Sequence, residues 1–387
     1  MIALQRLLAP CMLLLSVTWV SCLKEPVDEG PGPGAGKATY KYDWPAIADS
    51  AQASLTANFY NANGKYFNKN NAGDVTFNYW PQAHALDVLV DGYLRKNDAA
   101  VKTRMTDLLD GVKAKNGNTY INHFYDDMEW MTLACLRAYE ATGDDRFKAT
   151  AQELWNDIKG GWDLVWGGGI HWNKDKSKNY KNTPANAPAC IIAARMYQVT
   201  QDPADMDWAK KIYQWQKTTL VDPASGLVYD GINQDGSGTV NKDWKFTYNQ
   251  GVFIGAGIEL YKLTGEQGYL NDALKTANNS LTGDFTKSNV LKDEGQGDGG
   301  LFKGVLVRYL MLLITDGDLG STDKTRFASF LQLNAQTLWL QGTARPQVLF
   351  SPNWTSVITT TDLTTQLSGT MVLEAAARLK EMGLIDN

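Results

Sequence analysis

Histidine, cysteine and surplus positive charge are all scarce in this chain, and each shortage excludes a class of function. The three histidines, His84, His123 and His171, lie far apart and in no metal-ligand spacing. No metal or organic cofactor is expected. Acidic residues outnumber basic ones 42 to 37, whereas nucleic-acid binders need a basic face. Apolar alternation with β-branched residues is rare outside Val348 to Thr361, which argues against a sheet protein. The apolar stretch Leu7 to Val20 is too short for a comfortable transmembrane helix.

That stretch follows Arg6 and ends Val20-Ser21-Cys22, a small residue before cysteine. The pattern resembles a bacterial lipoprotein signal, with Cys22 as the lipidated first residue of the mature chain; ordinary signal-peptide cleavage is the alternative. Residues 1–22 are read as this signal. Residues 23–40 (Lys24 to Lys37 reads KEPVDEGPGPGAGK) are too rich in Pro, Gly and charge to build a core, and form a flexible tether. A cell-envelope protein held on the outer membrane by a lipid anchor is expected, and a monomer. Cys135 and Cys190 sit within apolar helical patterns and read as buried free thiols.

What the chain has in quantity is aromatic side chains: 13 Trp, 17 Tyr and 12 Phe. Such rings offer a flat apolar face with a polar edge, which suits the C–H faces of sugars, although most must be core. From Tyr40 onward one phrase recurs, an amphipathic helix closed by a polar turn. It appears at 86–98, 133–144, 191–202 and 254–266, with Tyr93, Tyr139, Tyr197 and Tyr261 in equivalent places, 46, 58 and 64 residues apart. Each step accommodates a helical hairpin plus a loop. With further helices at 301–315, 325–341 and 364–382, the count is about twelve. An all-α domain over 41–387 follows, its paired hairpins closed into an (α/α)6 toroid or stacked as an open solenoid. The long connectors Gly160 to Pro188, Asp222 to Gln250 and Gly283 to Gly300 are expected to be functional and, in a toroid, to meet around the axis.

The most informative feature is Asp126-Asp127, set before the apolar run Met131 to Tyr139. One reading is local: Asp126 as N-cap and Glu129 at N3 would form a capping box, with Asp127 favoured by the helix dipole. The other is chemical. Retaining glycosidases use two carboxyl groups about 5–5.5 Å apart, inverting ones about 6.5–9.5 Å. Neighbouring Cα atoms lie about 3.8 Å apart, so an adjacent pair reaches the shorter separation more easily. Repulsion between the two also raises one pKa, leaving an acid beside a base.

These residues resemble glycoside hydrolase family 76, the endo-α-1,6-mannanases. The likeness rests on Tyr125-Asp126-Asp127-Met128, Tyr79 to Asp87, Trp166 to Trp172, Tyr180-Lys181-Asn182, Gly226 to Gly231, Phe246 to Gly251, and Leu301 to Gly304 with Arg308-Tyr309-Leu310, in order over about residues 45 to 385. The resemblance implies an (α/α)6 toroid and hydrolysis of α-1,6-mannosidic bonds in mannan with retention, through a covalent mannosyl-enzyme. Asp126 would be the nucleophile and Asp127 the acid and base. Asp230, Tyr248, Asn249 and Gln250 would hold sugar, with Gln82, His84, Lys181 and Asn182 as further candidates. Trp80, Trp130, Trp166 and Trp172 are candidates for stacking on sugar, or core. His84 reads equally as a core histidine, and Asn249 as a helix cap. Rival functions are a non-catalytic glycan-binding surface lipoprotein, a transglycosylase, and another (α/α)6 enzyme acting on a different glycan.

Overall fold

The computed structural model describes residues 40–386; the signal and the tether expected at the N-terminus lie outside the described residues, apart from Tyr40. Among these residues twelve α-helices run in chain order: α1 (Trp44–Phe59), α2 (Tyr79–Lys96), α3 (Ala99–Lys115), α4 (Tyr125–Thr142), α5 (Asp145–Ile158), α6 (Ala187–Thr200), α7 (Pro203–Leu220), α8 (Thr247–Thr264), α9 (Gln267–Ser280), α10 (Gly299–Asp316), α11 (Ser321–Gln341) and α12 (Leu363–Glu381). The even-numbered helices pack in sequence, and α12 packs on α2, which closes an inner ring. The odd-numbered helices pack outside it. This is the (α/α)6 barrel, and the open solenoid is excluded.

The recurring phrase has a local cause. The inner helices α2, α4, α6 and α8 end on a left-handed residue, Asn97, Gly143, Gln201 or Gly265, whose N–H donates to the carbonyl of Tyr93, Tyr139, Tyr197 or Tyr261. Such C-caps favour Gly and Asn. After the first three, Asp98, Asp144 and Asp202 accept from the first turn of the next outer helix and cap it. The inner helices are buried almost all round, as a helix surrounded by partners must be.

Among the described residues the strands are four two-residue antiparallel pairs in the loops. One joins Lys181-Asn182 to Gly231-Ile232 and so ties the second long connector to the first. Cys135 and Cys190 are free and buried, as expected.

Candidate active site

The N-terminal ends of the inner helices and the long connectors surround a cleft of about 580 Å³. Asp126 and Asp127 lie in its wall, in the first turn of α4. Helix α4 starts at Tyr125 with Phe124 as N-cap and no side-chain cap. Asp126 is therefore not a cap and the capping box does not form. Glu129 instead turns into the barrel, fully buried, where burial and Asp126 hold its carboxyl well above the usual range.

The two aspartates differ in their hydrogen bonds. Asp126 Oδ1 accepts the Asp127 N–H at 3.0 Å, and Oδ2 accepts the Trp172 indole N–H at 3.0 Å. Both contacts favour the ionised form. Both carboxyls touch solvent through the cleft mouth yet sit deep among protein atoms, so desolvation outweighs those bonds. It pushes Asp126 up to about 7, and Asp230 adds to the rise. Asp127 is raised well above the ordinary value by burial, then by the neighbouring charges of Asp126 and Asp298. Among the described residues no hydrogen bond offsets this, so Asp127 keeps its proton more firmly than Asp126.

Asp230 faces the pair. Its Oδ2 accepts from Tyr180 (2.7 Å) and its Oδ1 from Asn249 (3.0 Å) and Tyr248 (3.2 Å). Tyr248 stacks flat on Phe302, with ring centroids 4.0 Å apart. Opposite, Trp80 and Trp130 line the cleft, and the Trp80 indole donates to Asp298 at 3.0 Å.

Over residues 44–383 the chain matches the model of glycosyl hydrolase family 76. The chain belongs to that family. Among solved structures it is similar to the GH76A alpha-1,6-mannanase of Salegentibacter sp. HEL1_6, at 47% identity and a TM-score of 0.84, covering 87% of this chain and all of that one. A variant of that enzyme with two consecutive aspartates changed to alanine is described as inactive and was solved in complex with alpha-1,6-mannotetrose, with 46% identity, a TM-score of 0.85 and the same coverage. Among fungal proteins it is 27% identical over 296 residues to a putative mannan endo-1,6-alpha-mannosidase of Schizosaccharomyces pombe, covering 68% of this chain and 64% of that one. The chain spans from about a third to two thirds of the length of the curated relatives it matches.

Within this family 76 member, six of the residues expected to hold sugar line the cleft: Trp80, Trp130, Trp172, Asn182, Asp230 and Tyr248. Trp166 and five others do not. Gln82 is buried, with its amide accepting from Phe67 N–H and donating to Phe67 O. Gln250 does the same to Val228. Both amides are saturated by backbone and clamp a loop to the barrel. Lys181 is fully buried, its ammonium donating to Asp163 Oδ1 and to the carbonyls of Asp163, Val165 and Gly168; it organises the 160–170 loop. His84 lies beneath the cleft against Trp80 and Trp130, and burial lowers its pKa to about 3, so it is neutral packing. Asn249 does not cap a helix; it supports Asp230 from below. Sequence reading missed Asp298, Tyr180, Phe246 and Phe302, all in the lining. For Asp298 the signal was an acid directly before helix α10, in the Gly-rich connector Gly283 to Gly300.

Proposed function

We propose that this chain is a retaining glycosidase that cleaves α-1,6-mannosidic bonds within mannan. The observation that carries the reading is the unequal environment of two adjacent aspartates in an open, aromatic-lined cleft. In the related mannanase, replacing two consecutive aspartates gives a protein described as inactive, which supports assigning the chemistry to Asp126 and Asp127.

Asp126, with two N–H donors, is the easier carboxyl to ionise and is the nucleophile on the anomeric carbon. Asp127, held neutral by burial and two like charges, delivers its proton to the departing glycosidic oxygen. After the leaving sugar departs, ionised Asp127 takes a proton from water, which attacks the mannosyl ester of Asp126 and releases the sugar with its configuration retained. Asp230, braced by three donors, accepts hydrogen bonds from sugar hydroxyls beside the pair. The unequal hydrogen bonding of the two carboxyls supports the order of roles that the family resemblance implies.

The test is proton NMR of the first product formed from linear α-1,6-mannan. The α-anomer must appear first; first appearance of the β-anomer would overturn retention. Unchanged sugar release by Asp126→Asn would point instead to a glycan-binding protein carrying a contaminant activity. We further propose that Cys22 is lipidated and anchors the domain to the outer membrane, where a large external glycan is accessible. Cys22→Ala should move the protein from the membrane fraction to the soluble fraction.

A further inference from the structure

A cleft of about 580 Å³ falls among small-ligand sites, which span about 300–1,000 Å³. A polysaccharide bound there must continue across the rim, and the rim beside Lys178 and Gln234 carries an unusual side chain. We propose that Trp166 is a glycan-binding platform outside the cleft, carrying the stretch of α-mannan beyond the sugars held against Asp126 and Asp127. The proposal rests on the α-mannan reading above.

Of the 13 tryptophans, the two that are exposed among the described residues are Trp166 (37%) and Trp244 (39%), and Trp244 itself lines the cleft. Trp166 adopts a left-handed backbone, φ 57° and ψ 29°. That conformation is a genuine outlier for a bulky residue and persists only where the surroundings enforce it. Here they do. The indole N–H donates to Asn179 O at 2.8 Å, and the Trp166 carbonyl accepts the Trp215 indole N–H at 3.0 Å. The ring rests on Gly238, where a Cβ would come within 2.9 Å of it. Backbone, ring edge and part of the ring surface are all fixed, while more than a third of the residue stays open to solvent.

Its anchors place it. Asn179 lies between Lys178 and Tyr180, and Gly238 lies four residues after Gln234; all three flanking residues line the cleft. A tryptophan serving only to brace the loop gains by burying its ring. One that is pinned but open is preorganised for a flat apolar partner, and the C–H face of a pyranose is such a partner. Leu164, two residues away in sequence, is 79% exposed.

The experiment compares Trp166→Ala with Trp166→Phe on two substrates, polymeric linear α-1,6-mannan and α-1,6-mannotetraose. Trp166→Ala should raise KM for the polymer about three- to tenfold, the equivalent of one aromatic contact. Its kcat, and both constants on the tetrasaccharide, should match wild type. Trp166→Phe keeps a face but loses the bond to Asn179, and should behave nearly as wild type. Equal losses on both substrates, or Trp166→Phe failing like Trp166→Ala, would make Trp166 a loop brace and overturn the proposal. So would an unchanged polymer KM. If wild type cleaves neither substrate, the α-mannan reading falls instead, a result separable from these.

Discussion

At the C-terminal ends of the inner helices Asp87, Asp91, Glu259 and Glu374 each meet an arginine, whereas at the N-terminal ends Asp126, Asp127, Asp230 and Asp298 face a cavity whose lining holds one lysine, Lys178. The paired end is a ring. Arg137 of α4 and Arg308 of α10 both bridge Asp87 and Asp91 of α2, Arg195 of α6 bonds Glu259 of α8 at 2.7 Å, and Arg95 bonds Glu374 of α12 at 2.9 Å. Every inner helix contributes a charge, and the sum is balanced. Paired charges in a barrel floor hold structure; like charges left together raise one another's pKa and are useful for proton transfer.

The pH dependence of stability separates the two ends by sign. Asp91, between two arginines, is lowered to about 2. Its contribution is present above the unfolded value near 3.8 and is lost as pH falls toward 2. Asp126 is raised to about 7, so the folded protein holds more protons than the unfolded chain between about 4 and 7. Stability from this group is full at low pH and declines as pH rises through that window.

The largest effect that would break the contrast is catalytic. Asp126→Asn or Asp127→Asn should lower kcat about 10³-fold or more, since nucleophile and acid act as a unit. The double variant should melt no lower than wild type at pH 8, because it removes two buried carboxyls whose raised pKa values cost stability there. A large drop in Tm there would mean the pair is structural. Next is the opposite end. Arg308→Ala leaves Asp87 and Asp91 short of a partner and should cost about 3–5 kcal/mol in urea unfolding, with kcat per folded molecule unchanged. Loss of activity in the fully folded variant would mean the two ends are coupled.

Gln250→Ala should cost less, about 1–3 kcal/mol in urea unfolding, because Val228 N–H and C=O lose their partners inside the protein. This residue also shows where sequence reading stopped. An amide that holds backbone and one that holds sugar use the same chemistry, so residue type could not separate them. Position could have: Gln82, Gln250 and Gln366 are each the fourth residue of an inner helix, and each bonds the backbone of the preceding loop. A residue that repeats with the fold serves the fold. The helical hairpins were legible because their caps are local, a left-handed residue and then an aspartate. Asp91, Arg137, Arg195 and Glu259 each stand two residues before the repeated tyrosine, so the periodicity of the charge ring was visible too. Its pairing was not, because Arg308 meets Asp91 across 217 residues. The bond from Trp80 that places Asp298 in the cleft spans 218. Such partners exist only once the ring has closed.

The finest test bears on the different roles proposed for the adjacent aspartates. Trp172 gives Asp126 a donor that Asp127 lacks. Trp172→Phe keeps an aromatic wall against Phe124, whose ring centroid is 4.9 Å away, but removes the N–H. Ionised Asp126 then loses a bond, its pKa rises further, and the acid limb of kcat/KM should move up by about one pH unit, equivalent to about 1.4 kcal/mol. The basic limb, set by Asp127, should stay in place. If both limbs move together, the pair titrates as one unit and Trp172 does not divide the labour. If only the acid limb moves, a single indole N–H makes the first aspartate of the pair the nucleophile.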